Sequence, residues 1–282
     1  MGSGFLITLR EGLEASLVLA ILLSYVKKTD RWLDARYVWI GSVAAATLCV
    51  VAGAAIFVAL DGLEGSAEQA VEGCIALFAM AVLTQMLFWM RSHARTLGKE
   101  LRDKVDRSTA WALSLIAFAA VAREGLETVL FLLSAETESA SGSHVVIGGL
   151  LGLAVSALIG VAVYRSGNRL NLRSFFTVTA VLLLLFAAGL AGKAAHELRE
   201  LVGWEDGWLV ASAWNINSGP FSNGTFYDFV NGLFGWHSNP ERLRVISYFL
   251  YLVPVLVLYF RDSTKQAPHV TATATGSSAQ VV

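Results

Sequence analysis

Residues 10–14 read Arg-Glu-Gly-Leu-Glu, and residues 123–127 read Arg-Glu-Gly-Leu-Glu again. The flanks rhyme too: LREGLEASLVLAILLS at 9–24 answers AREGLETVLFLLS at 122–134. Each copy puts three charges inside an apolar run of helical length. A charged side chain at mid-bilayer costs about 2.5–3.5 kcal/mol on insertion scales. Arg10, Glu11, Glu14, Arg123, Glu124 and Glu127 therefore cannot face lipid, and must meet one another or a polar guest. Glu11 and Glu14 are three apart and share one helix face, as do Glu124 and Glu127. Gly12 and Gly125 remove side-chain bulk within each motif and let another backbone approach.

The rest of the chain sets this repeat in a membrane. Of 282 residues, 55% are hydrophobic and 15% charged, where an ordinary soluble domain has about 25% charged. Mean hydropathy is +0.59. These values argue against a soluble enzyme and a disordered chain. A net charge of −1 without a broad basic field argues against a nucleic-acid partner. Seven segments offer the roughly 20 apolar residues a span needs. They are about 4–26, 38–60, 68–90, 110–134, 145–164, 174–195 and 243–260. The stretch 207–227 is uncharged as well, but its Asn215, Asn217, Ser218, Gly219, Pro220, Asn223 and Gly224 read as loop. Cys49 and Cys74 lie in apolar runs and set out no disulfide framework. The start carries neither a cleavable signal pattern nor a myristoylation pattern.

Lys and Arg in short loops orient the spans. The first loop holds Lys27, Lys28, Arg31 and Arg36. The third holds Arg91, Arg95, Lys99, Arg102, Lys104 and Arg107, and the fifth Arg165, Arg169 and Arg173. The second, with Asp61 and Glu64, and the fourth, with Glu136 and Glu138, have no basic residue. The N-terminus is thus expected outside and the C-terminus in the cytoplasm. Spans one and four then run in opposite directions, so the two motifs belong to inverted repeats of three helices each. The expected fold is all-α and polytopic: seven transmembrane helices, a 3+3 inverted repeat plus one. Its organisation is a single transmembrane domain, 1–260, followed by a disordered cytoplasmic tail, 261–282. Within the domain lie repeat one (about 4–90), repeat two (about 110–195), an external loop (about 196–241) and a last helix (about 243–260).

In such repeats substrate sites lie near the midplane at the repeat interface. Antiparallel helices one and four bring the four carboxylates around a pseudo-twofold axis. Two guanidiniums cannot neutralise four carboxylates, so a cation, protons or water must make up the difference. Carboxylate oxygens suit hard cations such as magnesium, calcium, manganese or ferric iron. Met80, Met86 and Met90 would suit a softer metal, but read as packing. Glu68 and Glu72 at one span end, with His196, Glu197 and Glu200 at another, extend the acidic character toward the outside. Singly these are solvated helix ends as readily as ligands. Together they suggest a funnel that concentrates cations. The long sixth loop holds Trp204, Trp208, Trp214 and Trp236, read as interfacial anchors, with a lid as the other reading.

The paired Arg-Glu-Gly-Leu-Glu motifs in spans one and four resemble the oxidase-dependent iron permease family, which includes fungal high-affinity iron permeases and bacterial EfeU-type permeases. The likeness covers most of 1–260. It implies Glu11, Glu14, Glu124 and Glu127 as the iron-handling residues, with Arg10 and Arg123 as their motif partners. It implies import of iron, ferric by the fungal precedent, across the plasma membrane or bacterial inner membrane. It also implies an external or periplasmic partner that binds or oxidises iron. The sequence lacks the fungal external Asp-Ala-Ser-Glu motif and long tail, so the bacterial type is the match. Iron is then the transported substrate, with no organic cofactor; GLAGKAA at 189–195 lacks the spacing of a phosphate loop. The alternatives are a carrier for another hard divalent cation or a proton-coupled cation carrier. A third is an intramembrane carboxylate metalloenzyme, which would want Glu-x-x-His pairs on facing helices.

Overall fold

The computed structural model describes residues 2–61, 65–93, 109–138, 142–166 and 172–264. Glu64, the basic residues Arg95, Lys99, Arg102, Lys104, Arg107 and Arg169, and the tail from 265 onward lie outside them. Eight α-helices are present among the described residues: α1 Gly2–Lys28, α2 Ala35–Asp61, α3 Ser66–His93, α4 Ala110–Glu138, α5 Gly142–Ser166, α6 Leu172–Leu201, α7 Thr225–Phe234 and α8 Arg242–Thr264. Pairing of strands is confined, among the described residues, to a single bridge between Ser212 and Glu241. The protein is an all-helical, multi-pass membrane protein.

Among the described residues, five helices are long and apolar enough to cross a membrane: Trp32–Leu60, Ser66–Met90, Val145–Ala162, Thr177–Leu201 and Arg242–Arg261. Helices α1 and α4 have the length, at 27 and 29 residues, but each carries the charged motif in its interior. Large apolar side chains point outward along α2 (Val43, Val50, Val58), α5 (Leu150, Leu158) and α8 (Leu250, Val253). Apolar surface on that scale is a lipid-facing wall, not a soluble surface.

The helices pair selectively: α1 with α5, α2 with α4, α3 with α6, and α6 with α8, while α1 and α4 meet at the centre. Along α1 and α5 the contacts rise together, from Gly4 at Val145 to Thr8 at Gly149 and Ser16 at Gly160, so these helices are parallel. Helices α2 and α4 are parallel too, with Gly41 at Ser114, Cys49 at Ala122 and Gly53 at Val129. Helices α3 and α6 are antiparallel: Gln69 meets Glu200 and Glu72 meets Lys193. Exchanging α1 with α4, α2 with α5 and α3 with α6 reproduces every one of these pairings except that of α6 with α8.

One apolar core runs between α3 and α6, from Ala76, Leu83 and Leu87 to Leu183, Phe186 and Leu190, and takes in Ile7, Phe131 and Tyr259. A second, smaller one joins Leu22, Val26, Val38 and Leu113. Helix α6 extends to Leu201, so His196, Glu197 and Glu200 stand on its last turns rather than in loop. The stretch 207–227 holds turns and the start of α7, as its Asn, Gly and Pro content leads one to expect. Beyond α6 the chain folds over itself: Trp214 stacks on Trp236 at 5.3 Å, and the indole of Trp236 donates to the carbonyl of Phe221. This segment docks on α6 where Gly189 faces Gly235, a contact with no room for a Cβ on either residue.

Candidate metal centre

The two motifs meet where α1 crosses α4. A carboxylate oxygen from each of Glu11, Glu14 and Glu124 lies within 4.8 Å of the others. Glu127 stands beside this trio, one turn on from Glu124, in an ion pair with Arg123 at 3.1 Å. Sequence spacing placed Glu11 with Glu14 and Glu124 with Glu127; the crossing joins the two pairs.

Each arginine pairs within its own motif. Arg10 Nη1 donates to Glu11 Oε1 at 2.7 Å. Arg10 Nη2 lies 2.8 Å from Glu14 Oε1, an ion pair by distance whose angles do not make a hydrogen bond. Arg123 Nε donates to Glu127 and lies 4.0 Å from Glu124. Glu11 Oε2, Glu124 Oε2 and Glu127 Oε2 are buried and find no hydrogen-bond partner among the described residues. Buried polar groups are ordinarily paired. The two motifs thus hold three buried carboxylate oxygens that no donor among the described residues satisfies.

Both arginine heads rest on one face of α3. Met86 Sδ is 3.0 Å from Arg10 Nη1, and Met90 Sδ is 3.2 Å from Arg10 Nη2. The Arg123 guanidinium lies 4.6 Å from the ring centre of Trp89. Positions 86, 89 and 90 share a helix face. The sequence reads the methionines as packing; their i,i+4 spacing is the available signal, but nothing in it names the partner helix.

The motif glycines each make room for a side chain of a parallel neighbour, where a close backbone approach is the expectation from sequence. A Cβ on Gly12 would collide with Ser156 of α5, and one on Gly125 would lie 2.6 Å from Cys49 Sγ of α2. Ser156 and Cys49 occupy corresponding places when the halves are exchanged.

The secondary acids stand apart from this centre. Glu72 and Met86 are fourteen residues apart on α3, about 21 Å by helix rise. Glu72 pairs at 2.6 Å with Lys193, a buried cation that sequence reading passed over even though it interrupts an apolar run. Glu200 accepts from Gln69 and Arg199, and Arg199 also holds Glu241 at 2.9 Å. His196 lies between Glu200 and Glu241, at 3.6 and 3.3 Å. Glu197 packs against Gly73, and Glu68 is exposed in the first turn of α3. The region is therefore a mixed ion-pair cluster rather than a purely acidic one. His196, His237, Glu241 and Arg244 line a cavity of about 280 Å³ next to it. His237 Nδ1 accepts from Asn231. Burial, then the charges of Arg244, His196 and Lys193, push its pKa down to about 3.

A multi-pass helical bundle with paired charged motifs buried inside it has the architecture of a membrane permease. The family can be stated more closely: the chain belongs to the iron permease FTR1 family, whose model matches residues 1–260. It is 38% identical over 264 residues to "Ferrous iron permease EfeU" of Yersinia pestis, covering 91% of this chain and 92% of that one. The protein of the same name from Yersinia pseudotuberculosis is also 38% identical, and covered to 91%. That of Escherichia coli O6:K15:H31 is 36% identical over 261 residues, 90% of this chain and 94% of its own. No solved structure matches the chain.

Proposed function

We propose that this chain imports ferrous iron across the bacterial inner membrane, passing it through a site built from Glu11, Glu14, Glu124 and Glu127. The observation that carries this reading is the meeting of three carboxylates from two helices within 4.8 Å, at a membrane depth where only two arginines oppose four acids. With all four carboxylates ionised, two negative charges remain, and a divalent ion balances them. A ferric ion, the form expected from the fungal precedent, would leave a net positive charge in a low-dielectric site, which is costly. The relatives' names specify ferrous iron.

The path is an inverted-repeat bundle of seven spans, α1 to α6 and α8, with the N-terminus outside. Helix directions support it. Odd-numbered spans α1 and α5 are parallel, even-numbered α2 and α4 are parallel, and α3 opposes α6, as continuous threading requires. The ion enters from the side of the 202–241 segment, where an external iron-binding or iron-oxidising partner delivers it. It leaves on the side of the basic loops.

Uptake of radioactive iron into proteoliposomes tests this, with ferrous and ferric forms supplied separately. Wild-type protein takes up ferrous iron, and Glu124→Gln falls to background while still inserting and remaining folded. Normal transport by that variant refutes the assignment. Uptake of manganese, magnesium or calcium in preference to iron would instead make the chain a carrier for another divalent cation.

A further inference from the structure

We propose that the thioethers of Met86 and Met90 join the glutamates as ligands of the transported ion and make the site prefer ferrous iron to magnesium and calcium. The proposal rests on the ferrous-import reading above and deepens it.

Arg10 marks the place. Its Nη1 touches both Glu11 Oε1 and Met86 Sδ, and its Nη2 touches Met90 Sδ and lies beside Glu14 Oε1. Each sulfur thus stands one guanidinium nitrogen away from a carboxylate oxygen. A divalent ion that shifts the guanidinium without expelling it comes to rest between two sulfurs and the converging carboxylates. Both arginines then still oppose the four acids, and the divalent ion closes the balance.

Two features argue against mere packing. A thioether is a weak acceptor, and a buried guanidinium held for its own sake would be better served by oxygen. Arg10 is buried, and its Nε makes no hydrogen bond among the described residues, so it is tethered by its Nη ends alone. Met86 belongs to the apolar core against which Met80 of the same helix also packs; what sets Met86 apart is its contact with Arg10, so Met80 supplies an internal control.

Donor chemistry then sets the preference. Magnesium and calcium take oxygen ligands. Ferrous iron is softer and accepts thioether sulfur, as in methionine-ligated haem. A mixed oxygen and sulfur set therefore penalises the hard cations and spares ferrous iron. An all-carboxylate site would offer little such discrimination.

The test is ferrous uptake by reconstituted full-length protein, under reductant, with excess magnesium or calcium as competitor. In the wild type the excess has little effect. In Met86→Leu/Met90→Leu, a volume-conserving change, discrimination against both competitors falls about tenfold, equivalent to about 1.4 kcal/mol. Met80→Leu leaves it unchanged. A double variant that discriminates like wild type overturns the proposal while leaving iron import intact. Wild-type protein that takes up no iron overturns both. Iron-edge X-ray absorption on the ferrous-loaded wild type decides independently of how the variants fold. Sulfur in the coordination sphere supports the proposal, and oxygen and nitrogen alone sink it.

Discussion

The two copies of Arg-Glu-Gly-Leu-Glu are identical in sequence and unequal in surroundings. The Arg10 side chain is 2% exposed and bridges both of its glutamates within 2.8 Å. The Arg123 side chain is 42% exposed, holds Glu127 at 3.1 Å and stands 4.0 Å from Glu124. The backbone frame is shared: each motif glycine receives a small side chain from the corresponding parallel helix, Ser156 in one half and Cys49 in the other. The inequality comes from α3. It lays two thioethers on Arg10 and an indole on Arg123. Its counterpart α6 turns its own buried cation, Lys193, to Glu72 instead. One half of the site is closed and the other stands open.

Removing the arginines tests that contrast most severely. Arg10→Ala leaves Glu11 and Glu14 buried without their partner, and breaking a buried pair costs about 3–5 kcal/mol. Arg123→Ala also strips a largely buried glutamate of its partner, but Arg123 is itself 42% exposed and holds only Glu127 closely, so a smaller loss is expected. Thermal unfolding in detergent should show a large drop for the first variant and a smaller one for the second. Equal losses would mean that the halves are energetically alike and that the difference in exposure is incidental.

Much of this centre could be read in the sequence. Two charged motifs in two apolar runs fixed the helices, their face and the need to converge, because charge in lipid leaves few alternatives. The ion pair of Arg10 with Glu14 followed from i,i+4 spacing. What spacing could not supply was the rotation of α3. In a soluble helix a polar face marks the outside. In a membrane both lipid and core are apolar, so Met86 and Met90 looked the same whether they faced acyl chains or a guanidinium. Lys193 was legible in principle as a buried charge, but its partner Glu72 lies more than a hundred residues away. That pairing, with Arg199 on Glu241, turned an expected acidic funnel into a mixed cluster. The aromatic stack of Trp214 and Trp236 depends on a chain path of turns that has no periodicity to read.

The glycines sharpen the comparison at intermediate size. An added methyl meets Ser156 in the first half and Cys49 in the second, and overpacking of this kind costs about 1–3 kcal/mol. Gly12→Ala is expected to be rescued by Ser156→Gly, because the Cβ of Ser156 as well as its hydroxyl is in the way. Gly125→Ala needs only Cys49→Ala, because the sulfur is the closer obstacle at 2.6 Å and the Cβ follows at 3.1 Å. Double-mutant cycles on unfolding midpoints measure both couplings. Rescue in one half without the other would break the shared frame on which the exchange of helices depends.

The smallest effect expected is at Trp89. A guanidinium over an indole contributes about 0.5–1 kcal/mol at a partly exposed site, and a phenyl face attracts it less. Trp89→Phe keeps an aromatic ring against Arg123 and should lower stability by less than about 1 kcal/mol. The informative quantity is its coupling. If α3 serves the two halves through separate side chains, Trp89→Phe couples to Arg123→Ala and not to Arg10→Ala. Contacts that share no partner should add independently. A Trp89 that couples equally to both arginines would mean that α3 holds the two motifs as one rigid unit. The closed and open halves would then no longer be separable, and any rearrangement would have to move Arg10 and Arg123 together.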